Sequence, residues 1–145
     1  MSEQDNRQLV ERALAAANQH DLDAYVASLD DSFVWNNDFF PGPLFGRAAV
    51  RQALASLFSA FPDFHIEIQE IFTSGDHVIT RVLTSGTHKG EFNGIAATNR
   101  QVQTRGCNVS QIRNGRIVKS DSYGDRLALM QQLGLSLAKG TAANL

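Results

Sequence analysis

An α+β fold, with helices packed on one face of a curved antiparallel sheet around a pocket, follows from a change of period along the chain. Between Gln4 and Phe61 the apolar residues recur mainly at helical spacing, and from Phe64 onward they alternate as strand residues do. The strands that follow are joined by short Gly-containing turns, which make consecutive antiparallel pairs.

The first helix is read from Leu9, Val10, Ala13, Leu14 and Ala17 within Gln4 to His20, and a second, shorter one from Leu22, Tyr25, Val26 and Leu29. The polar cluster Asp30, Asp31, Ser32 is expected to separate it from a strand at Phe33 to Asn36. The loop FFPGPLFG holds two of the three prolines and several aromatics, a composition that suits a pocket rim. GRAAVRQALASLFSAF then places Val50, Leu54, Leu57, Phe58 and Phe61 on one helical stripe, and Pro62 stops it.

In the first long strand Phe64, Ile66 and Ile68 alternate with His65, Glu67 and Gln69, after which Ile71 and Phe72 are out of step, as a bulge would make them. Ser74-Gly75-Asp76 turns the chain into VITRVLTSGTH. Another strand is expected from about Gln101 to Ile112, and Asn114-Gly115 is a type I′ hairpin signal before RIVKSDSYGD. The segment RLALMQQLGLSLA returns to helical spacing, with Gly134 a candidate interruption, and the tail KGTAANL is expected to fray.

The 145 residues, 43% of them hydrophobic and 19% charged, suit one domain spanning 1–145 and exclude extensive disorder. Thirteen basic against fifteen acidic residues give a formal charge of −2 with no basic block, which argues against nucleic-acid or anionic-membrane partners. The single Cys107 forms no internal disulfide, and no Cys/His spacing resembles a zinc site. Without a signal-peptide pattern or a membrane-length apolar run, the expected location is cytoplasmic.

The chemistry-bearing residues cluster late. In KSDSYGD, strand alternation puts Asp121, Tyr123 and Asp125 on one face and Ser120, Ser122 and Gly124 on the other. On a solvated face the first set is only a polar strand surface. On a concave face, desolvation and mutual repulsion would raise a carboxyl pKa toward the range in which it both takes and gives a proton, with the phenol orienting a substrate oxygen. Arg81 shares its face with Ile79 and Leu83, so it either snorkels to the surface or pairs with those acids. Trp35 and Asn37 share a face, where a lone Trp is either core or, beside an amide, a platform for a flat organic ligand. His88 ends a strand within GTHKG, as a structural, exposed or functional histidine.

The stretch GTHKGEFNGIAATNR, Gly86 to Arg100, resembles the GTHxGxFxGxxxTGR signature of the SnoaL-like polyketide cyclases, of the nuclear transport factor two-like superfamily. GRIVKSDSYGDRLALMQQLG, Gly115 to Gly134, resembles that family's GKI…W…D…L…QLG ending, and AFPD at Ala60 to Asp63 fits as well. The resemblance implies a cystatin-like, cone-shaped sheet around a hydrophobic pocket, dimeric through the sheet's outer face. It also implies cofactor-free and metal-free aldol ring closure of a polyketide ester.

On the QLG-anchored match the acid/base is Asp125, with Asp121 as second acid and Trp35, Asn37, Arg81, His88 and Tyr123 positioning a hydrophobic oxygenated substrate. Asp121 stands where the family has Trp, Asn99 where it has Gly, and Ala97 where it has Pro. Two alternatives remain open: a non-catalytic binder of the same fold, or an epoxide hydrolase or isomerase in the same pocket. The limonene-type hydrolase relay needs an acid after Arg81, where this chain has Leu83.

Overall fold

The computed structural model describes residues 2–135, and the expected fraying of KGTAANL falls outside them. Helix α1 spans Glu3–Asn18, capped by Ser2, whose hydroxyl accepts the Asp5 N–H while the Asp5 carboxylate accepts the Ser2 N–H. It buries Leu9, Val10, Ala13, Leu14 and Ala17, the stripe read from the sequence. At its end the Asn18 amide acts as a one-residue strand, donating to the Ile66 carbonyl at 2.9 Å and accepting the Ile66 N–H at 2.7 Å. Helix α2, Leu22–Ala27, is capped by Asp21, and α3 runs over Gly46–Ala60.

Strands β1 (Leu29–Asn37), β2 (Leu44–Phe45), β3 (His65–Ser74), β4 (His77–Thr87), β5 (Gln101–Arg113) and β6 (Arg116–Gly124) form one sheet in the order β2-β1-β6-β5-β4-β3. Every pairing is antiparallel except β1 with β6, so the sheet is mixed rather than wholly antiparallel. The expected break at Asp30–Ser32 lies inside β1. Ser32 binds the Asp30 carboxylate through its N–H and hydroxyl, and the register with β6 shifts between Leu29 and Val34. Local polar bonding interrupts the ladder there without ending the strand.

The bulge foreseen in β3 falls between Ile68 and Glu70. Asn114 and Gly115 both have positive φ, at 53° and 74°, as a type I′ turn requires. One further irregularity matters for the site. Ile112 pairs with Ile117 but Gln111 pairs with Lys119, so Val118 is an extra residue in β6. Helix α4, Arg126–Gln132, stops before Gly134, whose φ is +89°.

The main core packs α1 and α3 on the inner face of the sheet around Leu14, Leu29, Phe33, Trp35, Val50 and Leu54. A second cluster, Phe61, Phe92, Val102, Leu129 and Leu133, ties α4 to the loop between β4 and β5.

Candidate functional site

Between the inner face of the sheet and the helices lies a cavity of about 140 Å³. Its helical side is apolar, with Val10, Leu14, Leu54 and Leu57, and aromatic side chains of Phe39, Phe40, Phe61, Phe64 and Phe92 complete the wall. Phe40 meets Trp35 edge-on at 5.5 Å and Phe92 at 6.4 Å, and Phe61 meets Phe92 at 5.5 Å, so the aromatics form a connected frame. The phenol of Tyr25 also faces the cavity, and burial pushes its pKa up to about 12, which keeps it a neutral donor.

The polar content of the wall comes from the sheet: Asn37, Thr80, Asn108, Ser110, Ser120 and Ser122, with Thr84 and Thr104 at a neighbouring level. Trp35 donates its indole N–H to Ser122 Oγ at 2.9 Å, and the Ser110 and Ser120 hydroxyls bond each other at 3.0 Å. The cavity wall contains, among the described residues, no Asp, Glu, His, Lys or Cys, and its one charged residue is Arg105 of β5, which is exposed. Among the described residues, no group of three or more His, Cys, Asp or Glu is placed to hold a metal ion.

Two of the seven residues singled out in the sequence, Trp35 and Asn37, lie in this wall with buried or partly buried side chains. Four of the others stand elsewhere. Asp121 is on the outer face of β6, where it accepts from Asn36 Nδ2 at 2.8 Å and lies 3.8 Å from Lys119 Nζ. Asp125 is exposed at the N-cap of α4, its Oδ1 accepting the Ala128 N–H at 2.9 Å. Arg81 projects from the outer face to Glu70, with its Nε 2.8 Å from Glu70 Oε1, and reaches Gln69 as well. The seventh, Tyr123, reaches the edge of the cavity but is 57% exposed and shares the outer-face register with Cys107.

The expectation that the acids of β6 look into the pocket is therefore corrected. The cause is the extra residue Val118: Ile117 points inward, and without it Lys119, Asp121 and Tyr123 would follow, but the bulge hands the inner face to Ser120 and Ser122.

His88 is completely buried and stacks on Phe61 at 5.3 Å, behind the cavity wall rather than in it. Its Nδ1 accepts the Thr98 N–H at 3.2 Å and lies 3.0 Å from Thr98 Oγ1, which places the ring proton on Nε2. Desolvation holds its pKa below the usual histidine value, so the ring is neutral. Together with main-chain bonds from His88 N to Arg100 O and from Asn99 N to His88 O, it closes the base of the Lys89–Thr98 loop. The function of this histidine in the fold is to pin that loop.

Sequence reasoning missed Ser122, Asn108 and Thr80, the polar residues at the centre of the wall. Thr80 and Asn108 carry a readable signal, since Thr80 alternates in phase with Val78 and Val82, and Asn108 with Val102, Thr104 and Ile112. Ser122 carries none, because its orientation depends on the bulge.

Against known proteins, a family model for SnoaL-like polyketide cyclase matches residues 7–133. No curated protein matches the chain. Among solved structures, AclR, a candidate hydroxylase from Streptomyces galilaeus, superimposes with a TM-score of 0.81 at 23% identity, covering 92% of this chain and 98% of its own. A candidate SnoaL-like polyketide cyclase from Jannaschia gives 0.84 at 19% identity over 92% and 94%. IdmH from Streptomyces antibioticus, a candidate polyketide cyclase, gives 0.77 at 27% identity over 90% and 99%. The first two likenesses show the shared fold, a curved sheet with N-terminal helices of the ketosteroid-isomerase-like and NTF2-like class. The match of the family model over nearly the whole described chain makes this protein a member of the SnoaL-like polyketide cyclase family.

Proposed function

We propose that the protein binds a neutral, largely apolar, oxygenated small molecule of polyketide type in the cavity, and orients it by hydrogen bonds from uncharged groups. The observation that carries this reading is the composition of the wall: apolar and aromatic side chains, a few amides and hydroxyls, one exposed arginine, Arg105, and no carboxylate among the described residues. Such a pocket favours ligands without formal charge, because its one charged lining residue, Arg105, is exposed and the buried part of the wall offers an ion no charged partner.

A catalytic reading remains the second one, favoured by membership of a cyclase family and the 27% identity to IdmH. Under it Asp125 would move the proton for aldol closure, with Asp121 assisting. The nearest acids found at the β6 end are engaged: Asp125 caps α4, and Asp38 Oδ2 accepts the Gly124 N–H at 2.9 Å. Under the catalytic reading, proton transfer by Asp125 would fall to Oδ2 while Oδ1 caps α4.

Dimerisation through the outer face is part of the proposal. Phe72, Ile79, Val109 and Asp121 form one cross-strand row there, and Leu83 and Tyr123 stand on the same face. Phe72 is 52% exposed.

The chain has one tryptophan, Trp35, and it stands in the cavity wall, so its indole N–H resonance reports occupancy directly. Titration with polyketide-like methyl esters should shift that resonance equally in wild type and Asp125→Asn, with no product formed. Turnover that disappears in Asp125→Asn would establish the catalytic reading instead. Failure of every such ester to perturb Trp35 would remove the cavity as the binding site.

A further inference from the structure

The polar residues at the centre of the cavity wall form a straight line across the sheet. Asn37 pairs with Ser122 between β1 and β6, Ser122 with Asn108 between β6 and β5, and Asn108 with Thr80 between β5 and β4. Four consecutive strands thus contribute one uncharged polar side chain each at a single level, and all four line the cavity. Directly opposed residues on one sheet face have Cβ atoms about 4.5–5.5 Å apart, close enough for neighbours to share one ligand atom. At the next level β5 and β6 pair Gly106 with Gly124, and the Phe39 ring packs over Gly124 where a side chain would otherwise stand.

The level on the other side is self-sufficient, since the Ser110 and Ser120 hydroxyls bond each other. The central row is not. Ser122 Oγ accepts the Trp35 indole N–H, which leaves its own hydroxyl proton to be donated. Asn37 Oδ1 accepts the Phe39 N–H at 2.8 Å, which leaves its NH2 group. The carboxamide of Asn108 has no hydrogen bond among the described residues. Thr80 Oγ1 is wholly buried and has no partner among the described residues. An unpaired buried polar group costs about 1–3 kcal/mol, so the row is built around something it bonds.

The row leaves the Ser122 hydroxyl proton and the Asn37 and Asn108 amide protons free to donate, and none of these groups carries charge. We infer that the Asn37–Ser122–Asn108–Thr80 row is a carbonyl-reading site, in which Ser122 Oγ–H and Asn108 Nδ2–H donate to a ketone or ester oxygen of the ligand. This rests on the cavity being the small-molecule site, and it adds which functional group the ligand carries and where it lies. A ketone or ester oxygen accepts two such hydrogens and brings no proton of its own. A carboxylate would accept them too, but at the row its full charge would lie in an apolar part of the cavity, away from Arg105, the one cationic residue of the wall, which is exposed and pairs with Leu83 on the outer-face register.

Three probes of nearly one shape test this: methyl naphthyl ketone, isopropylnaphthalene and naphthoate, each titrated into the protein while the Trp35 indole N–H and the Asn108 side-chain amide are followed by nuclear magnetic resonance. The ketone is expected to bind about tenfold more tightly than the hydrocarbon, the ratio that hydrogen bonds of ordinary net strength give, with naphthoate the weakest. Asn108→Leu should remove the ketone's advantage while retaining the hydrocarbon. Ser122→Ala should reduce that advantage too, and the comparison within wild type stands whether or not either variant folds. Equal affinity of ketone and hydrocarbon for wild type overturns the carbonyl site and leaves the cavity reading standing. Tightest binding by naphthoate overturns it in favour of an anion site. If no probe moves Trp35, the inference and the cavity reading fall together.

Discussion

Replacing Asp125 with alanine and, separately, with asparagine separates a capping role from a proton-transfer role, because the two substitutions keep different parts of the side chain. In the structure the carboxylate is exposed and its Oδ1 accepts the Ala128 N–H at 2.9 Å, satisfying one of the unpaired donors of the first turn of α4. Alanine removes that acceptor, and loss of an N-cap of this kind typically costs about 1 kcal/mol. For a chain of this length that corresponds to a fall in Tm of about 3 °C. Asparagine keeps the acceptor and loses only the charge, whose interaction with the helix terminus is worth a few tenths of a kcal/mol in moderate salt. The expected order in thermal unfolding is therefore wild type, then asparagine close behind, then alanine clearly lower. The Trp35 response to cavity ligands should be unchanged in Asp125→Asn. The buried side chains of α4, Leu129 and Met130, lie after the first turn. Equal stability of the alanine and asparagine variants would refute the capping argument. A ligand turned over by wild type but not by Asp125→Asn would refute the placement of this carboxylate outside the chemistry.

Two other outcomes follow from single side chains. Thr80→Val is nearly isosteric and removes a wholly buried hydroxyl that has no partner among the described residues, so the ligand-free protein should gain about 1 kcal/mol, read as a higher denaturant midpoint at unchanged slope; a loss of that size would mean that the hydroxyl is bonded. Asp63 accepts the Thr87 hydroxyl at 2.7 Å and the Thr87 N–H, and these bonds hold its pKa below the usual aspartate value. Its contribution to stability is thus complete above the unfolded-state pKa of about 3.9 and is lost as pH falls through the lower folded-state value, so protection of the Thr87 amide, taken relative to the intrinsic exchange rate at each pH, should hold at pH 5 and fall only in stronger acid. Loss of protection that begins above pH 5 would contradict that sign.

Most of the architecture is legible because it rests on local signals that tertiary structure reinforces. The stripe of α1, the Pro62 stop, the bulge in β3 and the Asn114-Gly115 hairpin each depend on residues within a few positions of one another. Even the placement of Trp35 and Asn37 needs only strand alternation starting from the buried Phe33. Asp121, Ser122 and Tyr123 are different, because their facing is inherited from Ile117 through every residue between. One uncounted residue reverses it. Nothing about Val118 marks it as a bulge: it is β-branched, in the middle of a strand, and its mismatch exists only against Gln111 and Ile112 on the neighbouring strand. The same parity governs Arg81, where alternation alone cannot choose between Ile79 and Leu83 on its side and Val78 and Val82 on the other. The pairing of Arg81 with Glu70 across β3, itself displaced by that strand's bulge, makes this the outer face. In a sheet whose two faces both carry apolar residues, binary pattern leaves facing undetermined, and the bulges decide it. The bulge in β6 gives the cavity Ser120 and Ser122 in place of Asp121 and Tyr123, while Asp125, beyond the strand, caps α4, so the described wall of the expected acid/base pocket has no carboxylate.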